Sequence, residues 1–191
     1  MDTPSAVSVL VNRVSCALLR EPAPEGEQRE LIQRAALRAA DHRQLRPWRF
    51  LTVENEALLQ LGEIFVQARL QDNPELSAEE EARTRGLPSR APLVIVAIAS
   101  CVEDPKVPEW EQLLSAGAAV QNMLNACYAL GFGAIWRTGD LASHAVVRQG
   151  LGLTANESLV GFLYVGTPRV VPRAAPVLAV EDFFRPWPES S

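Results

Sequence analysis

Residues 92–100 read PLVIVAIAS, an uninterrupted apolar run that decides the fold. A strand with one wet face alternates apolar and polar side chains, whereas this run has no charged residue and no hydroxyl before Ser100. Such a run is typical of a strand that is covered on both faces. We therefore predict a central strand with helices on both sides, and the neighbouring segments are assigned outward from it.

The longest predicted helix, over 109–130, follows the central strand. From Leu113 onward it is apolar on nearly every side, and Ala and Gly are frequent. Because Gln121, Asn122 and Asn125 interrupt the apolar surface, we reject a membrane span and predict a helix enclosed by protein. In a domain of this size, a helix buried all round often needs a second subunit to cover it, which favours a homodimer.

Shorter elements flank these two. Apolar periodicity and turn residues predict the order α, α, β, α, α, β, α, β, α, β, which is typical of an α+β or mixed α/β layered fold. Residues 167–188 are rich in proline without periodicity and predict an extended tail. We predict helices at 5–14, 27–40, 55–71, after the Ser77–Glu80 capping box and at 143–150, and strands at 48–53, 133–137 and 159–165.

The composition excludes several classes of protein. The 191 residues fit one domain, 1–191. A net charge of −5 makes the whole chain a poor match to nucleic acid or to an anionic membrane. The chain has one lysine, Lys106, so it offers almost no position for the lysine that a Schiff-base enzyme or a P-loop needs. We find no basic leader, and we expect a cytoplasmic protein without a signal peptide.

Cysteine and histidine are too sparse for a metal site. Three widely spaced cysteines without a C-x-x-C pair argue against a disulfide framework and against a cysteine zinc site. Two histidines exclude a multi-histidine site. Cys127 lies in the apolar helix and is interpreted as a small core residue rather than a nucleophile. We therefore predict no metal.

A basic island lies between residues 28 and 50, where the sequence has six arginines and only two acidic residues, Glu30 and Asp41. Arginine matches phosphate bidentately, so the island is either an anion site or a solvated helix face. His42 lies inside it and is a functional candidate, with an exposed ring or a local cap as the alternatives. Arg137 and Thr138, in GFGAIWRTG (131–139), either grip a phosphate or end an ordinary strand.

Seven stretches, taken together, resemble the nitroreductase family of FMN-dependent oxidoreductases, above all its compact bacterial NAD(P)H nitroreductases. Their order along the chain is specific, although no one of them is specific alone. They are VNRVSC (11–16), EPAPEGEQ (21–28), RAALRAADHRQLRPWRF (34–50), SRAPLVIVAIAS (89–100), KVPEWEQLLSAGAAVQNML (106–124), GFGAIWRTG (131–139) and LVGFLYVGTP (159–168).

The resemblance implies a three-layer α+β sandwich with a central mixed or antiparallel sheet flanked by helices. It also implies an intertwined homodimer, with two FMN molecules in clefts at the dimer interface. The helix at 109–130 would lie at the centre of that dimer. The tail, residues 168–191, would pack on the partner subunit.

The resemblance also implies roles for particular residues. Arg13 and Ser15, with Val14 between them, match the FMN phosphate and ribityl contacts. Arg38 and His42 match contacts that the other subunit supplies to the flavin, and Trp136, Arg137 and Thr138 match a third FMN segment. The stretch that matches the nicotinamide cofactor consists of Ala126, Cys127, Tyr128, Ala129, Leu130 and Gly131.

The implied activity is hydride transfer from NAD(P)H through FMN to an electron-poor acceptor such as a nitroaromatic or a quinone. The chain departs from the family pattern at Val14, Ala40 and Arg46. These departures motivate an alternative, a non-enzymatic FMN-binding or sensor protein on the same fold. A nucleic-acid-binding module built on helix 27–40 is disfavoured by the net charge.

Overall fold

The central strand predicted from the apolar run is β3, Leu93–Ser100, and every residue in it except Ser100 is buried. The computed structural model describes residues 5–188. Residues 1–4 and 189–191, the two ends of the predicted domain and tail, lie outside the described residues. The β-branched and aliphatic side chains of β3 pack against both neighbouring layers, which is why the run shows no alternation.

Five strands form the sheet, and all their pairings are antiparallel. The strand order is β1-β5-β3-β2, and β4 also pairs with β5. The longest strand, β5, pairs with β3 along one side and with β4 and β1 along the other, so β4 lies at an edge. Besides β3, the strands are β1 (Leu19–Arg20), β2 (Trp48–Glu54), β4 (Gly133–Arg137) and β5 (Glu157–Pro168).

Helices cover the two faces of this sheet. Phe65 of the third helix meets Phe162 of β5 edge to face, with 5.2 Å between ring centroids, in one core. Met123 and Cys127 of the fifth helix pack against Leu163 in the other core. This confirms the predicted three-layer α+β fold. The helices are α1 (Ala6–Asn12), α2 (Gly26–Ala36), α3 (Glu56–Asp72), α4 (Ala78–Arg85), α5 (Glu109–Ala129) and α6 (Ala145–Gly150).

Most predicted elements are present with bounds shifted by one to four residues, and the end of α2 and the strand β1 differ most from the sequence-based prediction. The helix expected over 27–40 ends at Ala36, where the side-chain amide of Asn122 on α5 donates a 3.1 Å hydrogen bond to Ala35 O. Tertiary contact therefore satisfies a helix-end carbonyl that the apolar periodicity could not reveal. The two-residue strand β1 was not predicted, because a pairing this short leaves no pattern in the sequence. The capping box at Ser77 and Glu80 is confirmed.

Helix α5 is enclosed along most of its length, as predicted, but not at its beginning. The buried amide of Gln112 closes the preceding loop through hydrogen bonds with Val102 and Val107. In contrast, Trp110 and Leu114 are exposed on this chain. None of the helices within residues 5–188 is both long and apolar enough to cross a membrane.

The segment after β5 has little regular structure and many exposed apolar side chains. One 3-10 turn, Val180–Asp182, is the regular element between Pro168 and Pro188. Val171, Val177 and Trp187 are each more than nine-tenths exposed. Exposed apolar side chains at this density are unusual for a surface that water covers permanently.

Candidate functional site

The segment Arg13–Cys16 lies against the open edge of β4. The main-chain N–H of Cys16 donates a 2.9 Å hydrogen bond to Ala134 O. Main-chain groups of an edge strand alternate between its two sides, so Trp136 presents its N–H and C=O on this same side. The stretches VNRVSC (11–16) and GFGAIWRTG (131–139), which both match FMN-binding segments of the family, are therefore neighbours in the fold.

Arg13 has an incomplete environment. It ends α1 as the C-cap residue, and its Nη1 is a buried side-chain atom for which residues 5–188 offer no hydrogen-bond partner. A buried guanidinium nitrogen without a partner is costly, and an anion would satisfy it. Val14 is half-buried beside it and Ser15 is exposed. This arrangement fits a phosphate bound at the end of α1.

Strand β4 ends at Arg137, and Thr138 follows it. The side chains of Trp136 and Arg137 point to opposite faces of the sheet. The indole Nε1 of Trp136 donates a 3.1 Å hydrogen bond to Val160 O, in the core beside α5. The Arg137 guanidinium lies 5.9 Å from the centre of the Tyr164 ring, on the α3 side. Thr138 is exposed. These three residues line one cavity of about 410 Å³ beside α3.

Arg38 and His42 lie in the loop that follows α2, and both are exposed. His42 Nδ1 is 3.2 Å from Glu111 Oε2 at the beginning of α5. Arg38 lines a separate cavity of about 510 Å³, and His42 lines another of about 350 Å³. Within one chain, the structure therefore does not bring Arg38 and His42 into the cavity that Trp136 lines.

The loop carrying His42 is strained and firmly held. Arg43, Gln44 and Arg46 have φ angles of 63°, 56° and 51°, a region that residues other than glycine rarely adopt. The Asp41 carboxylate accepts a 2.7 Å hydrogen bond from the main chain of Arg46, and Arg43 pairs with Asp104 at 3.3 Å. Backbone strain held by side-chain contacts is common at binding sites.

The basic island is largely neutralised by ion pairs. Two pairs are bidentate, Arg29–Glu54 and Arg49–Glu157, with N–O distances of 2.6 to 2.9 Å. Hydrogen bonds from Arg49 lower the pKa of Glu157 to about 2. In the described part of the chain, Arg38 and Arg46 are the island arginines whose guanidinium groups have no acidic partner. The island is thus mostly structural, and Arg38 remains free to bind an anion.

The segment Ala126–Gly131 is the end of α5 and its cap. Cys127 is fully buried, and burial raises the pKa of its thiol to about 12. Its side chain therefore stays a neutral core group, as predicted. Gly131 is exposed, and the other residues of the segment (Ala126, Tyr128, Ala129 and Leu130) are half-buried.

Some residues at this end of the sheet were not singled out from the sequence. Arg90 and Tyr164 line the cavity of Arg137 and Thr138, and Glu111 holds His42. No spacing links Arg90 to Arg137, because the fold alone brings them together. Residues 5–188 contain no group of three or more His, Cys, Asp or Glu side chains placed to hold a metal ion.

The antiparallel five-stranded sheet between helical layers is the fold of solved nitroreductase-like proteins. The model of the Nitroreductase family matches residues 10–167, and the chain belongs to that family. It is 44% identical, over 86% of its length and 89% of the relative's, to the Escherichia coli K12 protein named "Putative NAD(P)H nitroreductase YdjA".

Two solved structures share the fold. A nitroreductase-like family protein from Bacillus cereus superposes with a TM-score of 0.80 at 22% identity, covering 98% of both chains. A protein from Desulfovibrio desulfuricans named "putative nitroreductase", solved in complex with FMN, superposes with a TM-score of 0.70 at 23% identity. That superposition covers 98% of this chain and all of the other.

Proposed function

We propose that this chain is an FMN-dependent oxidoreductase that uses NAD(P)H to reduce an electron-poor acceptor such as a nitroaromatic or a quinone. The observation that carries the proposal is the buried, unpartnered Nη1 of Arg13, three residues before the Cys16 N–H that bonds to the open edge of β4. The name of the Escherichia coli relative and the FMN complex of the Desulfovibrio neighbour support the same function.

The residues present fit FMN. Arg13 provides a cation for the phosphate, and Ser15 provides a hydroxyl next to it. The main-chain N–H and C=O of Trp136, on the open edge of β4, offer a donor and an acceptor to the flavin ring. Bound FMN supplies the electron transfer, whereas the protein binds it, orients it and sets its electrostatic surroundings.

The proposed active unit is a homodimer. Arg38 and His42 are exposed, and they are separated from Trp136 within one chain. A second subunit would bring them to the flavin across the interface. The exposed Trp110 and Leu114 of α5, together with the apolar tail, supply the surface that such an interface needs.

The nicotinamide cofactor is assigned to Ala126–Gly131. Gly131 is exposed and has a φ of 82°, and its N–H donates to Tyr128 O, so no side chain covers the main chain at this point. Because Cys127 is buried, contacts from this segment come from the main chain and from its half-buried neighbours. The cytoplasmic location stays a prediction.

A turnover assay tests the proposal. The FMN-loaded protein should oxidise NADH or NADPH only when a nitroaromatic or quinone acceptor is present. Val14, an apolar residue beside Arg13, favours the alternative of a flavin-binding protein without turnover. Bound FMN with no acceptor-dependent oxidation across nitroaromatics, quinones and free flavins would support that alternative and contradict the oxidoreductase.

A further inference from the structure

The cavity on the α3 side of β4 has more positive charge than its carboxylates balance. Three guanidinium groups line it, those of Arg69, Arg90 and Arg137, against the single carboxylate of Asp140. Arg69 forms an ion pair with Asp140, and its Nη2 donates a 3.0 Å hydrogen bond to Asp140 Oδ1. Arg90 and Arg137 have no acidic partner anywhere in residues 5–188. The cavity therefore has a local excess of two positive charges in a chain whose net charge is −5.

A hydroxyl completes the set of free donors. Tyr164 is 4% exposed, and its hydroxyl makes no hydrogen bond within the described chain. Burial raises the pKa of Tyr164, while the charges of Arg137 and Arg90 oppose that shift. Both cations thus lie close enough to act on this phenol, which remains a neutral O–H donor at neutral pH.

Most of the other lining residues are apolar, and four of them are aromatic. They are Phe65, Leu87, Ile135, Trp136, Leu141, Phe162 and Tyr164, with Thr138 and Gly139 beside them. A volume of about 410 Å³ suits a small molecule. Convergent donors above an apolar, ring-lined floor favour a flat ligand with an acidic group over a bare inorganic anion.

We propose that this cavity binds a small aromatic carboxylate, held by Arg90, Arg137 and the Tyr164 hydroxyl. The main chain of Trp136–Thr138 borders the cavity and is also the segment proposed to meet FMN. Acidic nitroaromatics are therefore the acceptor class that this cavity selects. The acceptor class rests on the proposed function, whereas the anion site does not.

Calorimetry on the full chain, with and without FMN, tests the anion site. Benzoate is the probe, and benzamide is its neutral match in shape. We expect benzoate to bind at least tenfold more tightly than benzamide, because charge-assisted hydrogen bonds form only with the carboxylate. Arg90→Gln should remove most of that difference, and Tyr164→Phe should weaken benzoate binding by about two- to tenfold.

Arg83→Gln is the matched control, since Arg83 is a nearby arginine of α4 that does not line this cavity. It should leave benzoate binding unchanged. Equal binding of the two probes, an equal effect of the two arginine substitutions, or loss of benzoate binding on FMN loading would overturn the site. The last result would mean that the flavin itself fills the cavity.

Turnover tests the acceptor class separately. Arg90→Gln should raise the KM for 4-nitrobenzoate about tenfold and leave the KM for 4-nitrobenzamide unchanged. An equal change for both acceptors would overturn the acceptor class. Failure of the proposed function would appear differently, as benzoate binding that persists in a protein without turnover.

Discussion

Arg13 is the residue on which the proposed cofactor site depends most. Its Nη1 is buried without a partner in the described chain, although unpaired buried charge is normally avoided. The surrounding structure thus holds a cation ready for an anion. Arg137, in contrast, rests on the Tyr164 ring and lines the cavity on the α3 side of β4.

Arg13→Ala should lower FMN affinity roughly ten- to a hundredfold, since a charge-assisted hydrogen bond to phosphate is lost. Quenching of flavin fluorescence on titration measures it. Arg34→Ala is the control, because Arg34 is an exposed arginine whose contact with Glu30 is 3.9 Å long. Equal affinities of the two variants would remove Arg13 from the site.

Glu157 and Arg49 give a prediction about pH. The folded-state pKa of Glu157, about 2, lies below its unfolded value near 4.5, so the pair stabilises the fold fully above pH 5 and progressively less toward pH 2. Glu157→Gln should cost about 2 kcal/mol at pH 7, because charge-assisted hydrogen bonds are lost while Arg49 stays partly exposed to water. The free energy of unfolding, from urea titrations between pH 7 and pH 3, should fall less steeply in the variant. Parallel pH profiles would contradict the low pKa.

At the scale of elements, the contact between β4 and β5 needs a glycine. Gly161 has a φ of 148°, and a Cβ there would overlap the Trp136 indole. The indole in turn holds Val160 O, so the end of β4 that carries the candidate site is aligned by this contact. A side chain at position 161 would disturb both the strand pairing and the site.

Gly161→Ala should lower the free energy of unfolding by about 2 kcal/mol or more, through strain and overlap together. Gly152→Ala is the matched control, because Gly152 has a φ of 68° but open space where its Cβ would lie. That variant should lose only about 1 kcal/mol. Equal losses in urea unfolding would show that overlap with Trp136 is unimportant.

Elements with a continuous or periodic apolar pattern were predictable from the sequence. The central strand β3 and the long helix α5 were identified with bounds that differ from the structure by one residue at one end. The end of α2 could not be predicted in this way, because the Asn122 side chain that bonds to Ala35 O at this end belongs to another helix, α5. The cavity lined by Arg90 and Tyr164 could not be predicted for the same reason, because these two residues lie 74 positions apart in the sequence and only the fold brings them together.

At the scale of the whole molecule, the described chain exposes clustered apolar side chains on α1, at the beginning of α5 and along the tail after Pro168. The first cluster is Val7, Leu10 and Val11, and the second is Trp110 and Leu114. These surfaces favour an intertwined dimer, in which Arg38 and His42 would complete the partner's flavin site.

Removal of residues 169–191 should therefore weaken the proposed dimer, because apolar interface is lost. Sedimentation velocity measures the change, and the full-length chain at equal concentration is the reference. Far-ultraviolet circular dichroism should be nearly unchanged, since the described tail contains one 3-10 turn and no strand. A truncated chain that stays dimeric at micromolar concentration would contradict this role of the tail.

The most direct test of the central claim is the visible absorption spectrum of the purified full-length protein after incubation with excess FMN and desalting. The proposed function predicts retained flavin bands at close to one FMN per chain. A protein that stays colourless under these conditions would contradict it, because the site built around Arg13 and the open edge of β4 would then not hold the cofactor.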